Sequence, residues 1–283
     1  FEKALTIKPD YIEVNYNLGL TLQELGQLDA AVERYEKALN LKPDYTEAHY
    51  NLGNAFKELG QLDDAVECYE KAVALKPDHA NAHNNLGNTL SDLGQLDAAV
   101  KSYKKAVAVK PDYAEAYNNL GATLKDLDQL DAAIKCYEKA VNIKPDYAEA
   151  YNSLGKVLNA LRQYDAALKC YKKALTIKPD YAVAYRNRGN VLLGLKRLDE
   201  AMSSYESAIA LDPDLDFLLG NSLHTKMHLC IWDDLENCLN EIKNKVNNGE
   251  KVISPFPLLA LIDDPEIQRK AAEIYANEAY PQS

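Results

Sequence analysis

The sequence predicts an all-α chain, a solenoid of helix–turn–helix repeats closed by a C-terminal helical cap. Three observations carry that prediction. Shifting the sequence by 34 residues superimposes it on itself, aligning Gly19, Gly53, Gly87, Gly121, Gly155 and Gly189, and likewise Tyr35, Tyr69, Tyr103, Tyr137, Tyr171 and Tyr205. A fixed period in this range marks units that bury their apolar faces only against their neighbours. Within each copy the apolar residues recur at helical spacing, and no alternating strand pattern appears.

The copy Ala114–Tyr147 shows how each element arises. Tyr117, Leu120, Gly121 and Leu124 form one stripe of a first helix. Asp112 and Glu115, three apart, suggest a capping box at its start. Asp128 stands where Gly26, Gly60 and Gly94 stand in earlier copies, the place for a left-handed residue that ends a helix. A second helix carries Ala133, Ile134, Tyr137, Ala140 and Val141 on one face, and Pro145 stops it. Gly121 and Ala133 are small enough for the two helices to approach closely, while Tyr137 fills the space beside them.

This pattern resembles the tetratricopeptide repeat (TPR): an aromatic at Tyr117, Leu120–Gly121, Ala133, Tyr137, Ala140 and Pro145. The resemblance implies a right-handed TPR superhelix whose first helices line a concave surface. It places a half repeat at 1–11 and repeats at 12–45, 46–79, 80–113, 114–147, 148–181 and 182–215. Phe1 aligns with Tyr35, so the chain is expected to begin inside a preceding repeat, as a piece of a longer protein.

Residues 216–283 leave the register and are expected to form a degenerate seventh repeat and a cap over the apolar end of the stack. Helical spacing persists over Asp216–Cys230 and Asp233–Val246, followed by a turn at Asn247–Gly249. Ser254–Pro257 reads as a rigid connection into a short Leu258–Ile262 helix, and Asp264 with Pro265 opens a final helix running to about Ala279. In repeat 182–215 Arg188 replaces the apolar Leu18, Leu52, Leu86, Leu120 and Leu154, with an ion pair to Asp214 or Asp216, or an anion contact, as its expected use.

Two stretches, HTKMHLCIWDDLE at His224–Glu236 and SPFPLLALIDDPEIQRKAAEIYANEAYP at Ser254–Pro281, resemble the junction between repeats and catalytic half in bacterial O-linked N-acetylglucosaminyl transferase-like (SPINDLY-type) proteins. That resemblance implies a parent enzyme using UDP-GlcNAc, for which this chain would recruit protein substrates. No position here matches the family's donor-binding or catalytic residues. A stand-alone scaffold for complex assembly is the alternative.

A net charge of −11 over 283 residues argues against nucleic acid, whose phosphates call for a basic surface. No apolar run approaches the roughly 20 residues of a membrane span, and no signal peptide is expected from its opening residues. Cys68, Cys136 and Cys170 share one repeat position. Stacked helices lie roughly 8–10 Å apart, beyond the roughly 7 Å reach of a disulfide, so reduced thiols and a cytoplasmic location are expected. His224 and His228 lie four apart, but without a third ligand at convincing spacing no metal site is expected.

The informative stripe is the one facing about 170° from the packing stripe, at about 100° per residue. Counting from the first residue of each repeat, position six reads Asn17, Asn51, Asn85, Asn119, Ser153 and Asn187, and position nine adds Asn54, Asn88 and Asn190. Carboxamides donate and accept, so such a ladder can pair with the main chain of an extended peptide. Position thirteen adds Glu24, Glu58, Asp92 and Asp126, and the charge reverses towards Lys156 and Arg186. The expected partners are neutral or basic protein segments. Position five holds Tyr16, Tyr50, Asn84, Asn118, Asn152 and Arg186, unlike the lysine clamp of chaperone-binding TPR domains. Tyr16 and Tyr50 could equally serve a homodimer.

Overall fold

A computed structural model describes residues 11–279. The expected half repeat at 1–11 lies outside them except for Tyr11. Sixteen α-helices and no strand occur among the described residues. The chain divides into two compact units, 1–145 and 146–283.

The first unit pairs α1 (Ile12–Glu24) with α2 (Leu28–Leu41), α3 (Thr46–Glu58) with α4 (Leu62–Leu75), α5 (Ala80–Asp92) with α6 (Leu96–Val109), and α7 (Ala114–Asp126) with α8 (Leu130–Ile143). A glycine–tyrosine lock holds each pair. A Cβ placed on Gly87 would lie 2.7 Å from Cε1 of Tyr103, and one on Gly121 2.9 Å from that of Tyr137. Both rings are 2% exposed and cannot retreat. Between paired helices, Gly26, Gly60 and Gly94 take φ of 71–76°, and Asp128 takes 57° without being glycine. The Gly26 N–H donates to the Gln23 carbonyl and the Gln27 N–H to the Leu22 carbonyl, both at 2.9 Å, so the helix end leaves few orphan carbonyls.

The capping box at Asp112 and Glu115 does not form. Tyr113 is the N-cap and offers no side-chain bond, which puts Glu115 one residue short of the position a capping box needs. Glu115 instead lies 3.6 Å from Lys144. The aromatic N-cap serves packing: Tyr45 stacks on Tyr16 with ring centroids 4.9 Å apart, and Lys42 sits over the Tyr45 ring. His79 takes that place against Tyr50 and does cap its helix, its Nδ1 accepting from the Ala82 N–H.

The second unit repeats the architecture in α9 (Ala148–Ala160) with α10 (Tyr164–Ile177) and α11 (Ala182–Gly194) with α12 (Leu198–Leu211). Arg162 and Lys196 hold the left-handed turn at φ 59° and 57°. α13 (Leu218–His228) stacks next, its Leu218 buried with Leu192, Ala201, Tyr205 and Ala208. The pairing then departs from the repeat. α14 (Leu235–Asn247) packs with α15 (Pro255–Leu261) and α16 (Pro265–Ala279) around a core of Leu223, Ile242, Val246, Val252, Ile253, Leu258, Ile262 and Ile267.

A strap at residues 251–253 fixes this end. The Phe217 N–H donates to the Lys251 carbonyl at 2.5 Å and the Gly220 N–H to the Val252 carbonyl at 3.0 Å. A Cβ on Gly220 would strike Ile253 at 2.6 Å. The short helix begins at Pro255, three residues before the expected start, because proline fits the first helical turn where no N–H is needed. Asp264 caps α16 as expected, its Oδ1 accepting from the N–H groups of Glu266 and Ile267 at 3.0 and 3.2 Å.

Candidate functional site

The asparagines of positions six and nine meet at the seam between successive first helices. In the first unit Asn85 Nδ2 donates to Asn54 Oδ1 at 3.0 Å and to the Tyr50 hydroxyl at 3.2 Å. Asn119 Nδ2 donates to Asn88 Oδ1 at 3.0 Å and to Asn84 Oδ1 at 3.2 Å. Asn51 Nδ2 donates to the Tyr16 hydroxyl at 2.9 Å. The lock tyrosines join from behind: the Tyr69 hydroxyl donates to Asn54 Oδ1 and the Tyr103 hydroxyl to Asn88 Oδ1, both at 2.7 Å. Burial raises both hydroxyls well above the ordinary tyrosine pKa, which keeps them protonated donors.

The second unit uses the same joint. Asn187 Nδ2 donates to Asn152 Oδ1 at 3.0 Å, and Asn190 Oδ1 accepts from the Tyr205 hydroxyl at 2.8 Å and from Asn221 Nδ2 at 3.0 Å. Thus the stripe is not turned away from all packing. A first helix touches its own partner and also the first helix of the next repeat, and the second contact half-buries these amides. Asn187 is only 8% exposed, whereas Asn17 and Asn190 are exposed and Ser153 is half-buried. Sequence reasoning missed the tyrosine–asparagine link. Its signal is an asparagine fifteen residues before the lock tyrosine, at 54 and 69, 88 and 103, and 190 and 205. In the first repeat Leu20 holds that place, and Gln23 Oε1 accepts from Tyr35 instead.

Models of the TPR repeat match residues 22–60, 53–94 and 87–128, and models of the tetratricopeptide repeat match 1–33, 112–180 and 146–214. The chain belongs to the tetratricopeptide repeat family. Among solved structures, MamA is 32% identical at a TM-score of 0.56, over 58% of this chain and 96% of that one. YrrB, described as a TPR protein with an unusual peptide-binding site, is 25% identical at a TM-score of 0.57, over 65% and 94%. PilF of Pseudomonas aeruginosa, 22% identical at 0.62 over 71% and 92%, shares the fold. No curated protein matches the chain.

The charged residues of the TPR face divide into two kinds. Glu24, Glu58, Asp92 and Asp126 are all exposed. Glu58 accepts from Gln23 at 2.7 Å, Asp92 lies 3.3 Å from Lys57 and Asp126 2.7 Å from Lys125, contacts that exposed side chains exchange readily. Lys156 is exposed, whereas Arg186 is largely packed away. Its Nη1 donates to the Asp216 carbonyl at 3.0 Å, its Nε is buried without a partner, and burial lowers its pKa.

The expected ion pair of Arg188 is absent. Asp214 is bound by Lys245 at 2.7 Å and Asp216 lies 3.8 Å from Lys251, so both carboxylates are taken. His224 and His228 face each other with Nε2 atoms 3.2 Å apart. No group of three metal-ligating side chains occurs among the described residues. All five cysteines are free, and burial pushes the Cys68 thiol up to about 11. No described helix is long and apolar enough to cross a membrane.

Proposed function

We propose that the first-helix face of residues 11–145 binds an extended, basic protein segment. The observation that carries this reading is the placement of four exposed carboxylates, Glu24, Glu58, Asp92 and Asp126, at one repeat position beside half-buried carboxamides. The amides retain hydrogen-bonding capacity: Asn88 Nδ2 and Asn119 Oδ1 have no partner among the described residues. Backbone groups of an extended chain can take up that capacity, while lysine or arginine side chains reach the carboxylates. The likeness to a peptide-binding TPR protein supports the same reading.

The test is fluorescence anisotropy with a labelled twelve-residue peptide of alternating alanine and lysine. Binding is expected to weaken as salt rises, and to drop at least about tenfold when all four carboxylates become Gln, since each steering charge contributes a fraction of a kcal/mol or more. Unchanged affinity in the Gln variant contradicts the proposal.

The finer reading is recruitment of protein substrates to a cytoplasmic O-GlcNAc transferase. It is supported by the resemblance at His224–Glu236 and Ser254–Pro281. UDP-GlcNAc would then be handled outside this chain, which carries no residue matched to it. The polypeptide encoded beyond Ser283 decides between this and a scaffold without chemistry: a nucleotide-sugar domain there supports the transferase, an unrelated domain or a stop the scaffold.

A further inference from the structure

We propose that Arg188, Lys169 and Lys172 form an anion-binding pocket for a phosphorylated side chain of a protein partner. At position seven of the first helix, Leu18, Leu52, Leu86, Leu120 and Leu154 are buried to between 4% and 8% exposure. Arg188 places a half-buried guanidinium in that slot without a close ion pair among the described residues; the Glu200 carboxylate, held below its ordinary pKa first by its hydrogen bond to Arg197 and also by the charge of Arg188, is engaged by Arg197. Partial desolvation of a charge is unfavourable unless something compensates it. Nothing in the packing of α11 requires it, since leucine fills the same slot five times over.

Arg188 opens into a cavity of ≈ 580 Å³ lined also by Asp165, Leu168, Lys169, Lys172, Leu192, Arg197 and Glu200. Arg197 is spent there: its Nε and Nη2 both donate to the Glu200 carboxylate at 2.7 Å. The lining as a whole sets four cations, Lys169, Lys172, Arg188 and Arg197, against two carboxylates, Asp165 and Glu200, a local excess of positive charge in a chain of net charge −11. Lys169 and Lys172 stand three apart and so share a face of α10.

The chain carries its own comparison. Lys101 and Lys104 occupy the same two positions on α6, but the slot that follows there holds Leu120. Only on α10 do the paired lysines meet an arginine. A guanidinium presents a planar fork of donors and the two ammonium groups add point charges, a combination suited to a doubly charged phosphoryl group. Leu168 and Leu192 give the cavity an apolar wall for the carbon stem that carries it. A protein partner rather than a polyanion follows from the charge of the whole chain, which repels nucleic acid.

The experiment is calorimetric titration of the intact chain with an eight-residue peptide holding one central phosphoserine, with the same peptide carrying Ser or Glu, and with inorganic phosphate. The phosphopeptide is expected to bind, and the Ser peptide not. Arg188→Leu, which installs the residue the other repeats use, should keep or raise the melting temperature and cut affinity at least about tenfold, as loss of a charge-assisted pair does. Lys172→Gln, on an exposed site, should weaken binding without altering stability. Equal binding of the Ser or Glu peptide, equal affinity in Arg188→Leu, or binding of inorganic phosphate without the phosphopeptide would each overturn the proposal. The four-carboxylate Gln variant should bind the phosphopeptide as the parent chain does, which separates this pocket from the TPR face.

Discussion

Gly87 and Tyr103 show how one repeat position can limit its own substitution. In an exposed helix interior, alanine in place of glycine stabilises by up to about 1 kcal/mol. Here the added Cβ meets a buried ring at 2.7 Å, and the ring cannot shift because its hydroxyl is tied to Asn88. Overpacking of this kind costs about 1–3 kcal/mol, so Gly87→Ala should lower stability in urea unfolding by about 1–2 kcal/mol net. The partnership of glycine with tyrosine was legible in the period alone. The hydrogen bond from the tyrosine to an asparagine was not, because a helical wheel counts the partner within a repeat and ignores the helix of the next one. Asn85 makes the same point energetically. Asn85→Ala removes two bonds across the seam and should cost about 1–2 kcal/mol, with helical circular dichroism unchanged at low temperature. Asn142→Ala, on an exposed position of α8, should fall within about 0.5 kcal/mol of the parent.

At the scale of elements, the turn inside each repeat keeps its left-handed backbone even where glycine is lost. Asp128, Arg162 and Lys196 sit at φ 57–59°, a region that costs a residue with a Cβ about 1–2 kcal/mol. Glycine there recovers most of that and loses some chain entropy in return. Asp128→Gly and Lys196→Gly should therefore each stabilise by about 0.5–1 kcal/mol in thermal or urea unfolding, and Gly60→Ala should destabilise by a similar amount. Alignment with Gly26 made this conformation readable from the sequence. Helix starts were less readable: the expected capping box failed by one residue, because the aromatic before each first helix, and not the aspartate ahead of it, occupies the cap. The departure of α14 from repeat pairing was also hidden, since its packing depends on the 251–253 strap reached through a loop with no period.

For the molecule as a whole, charge sorts the surfaces that packing leaves open. The carboxylates Glu24, Glu58, Asp92 and Asp126 are exposed in the first unit, and the cations of the Arg188 pocket lie in the second. Spacing put the amides on one stripe and expected that stripe to face away from the packing; their half-burial follows from neighbour contacts that a single repeat does not contain. The central claim is that the acidic first-helix face is where protein segments dock. Side-chain amide and backbone signals in a ¹⁵N–¹H correlation spectrum, recorded during titration with the alanine–lysine peptide, test it most directly. Shifts concentrated on Asn54, Asn85, Asn88, Asn119 and the neighbours of Glu58 and Asp92 are the predicted result. Shifts confined to the outer faces of α2, α4, α6 and α8, with those asparagines unmoved, would contradict it.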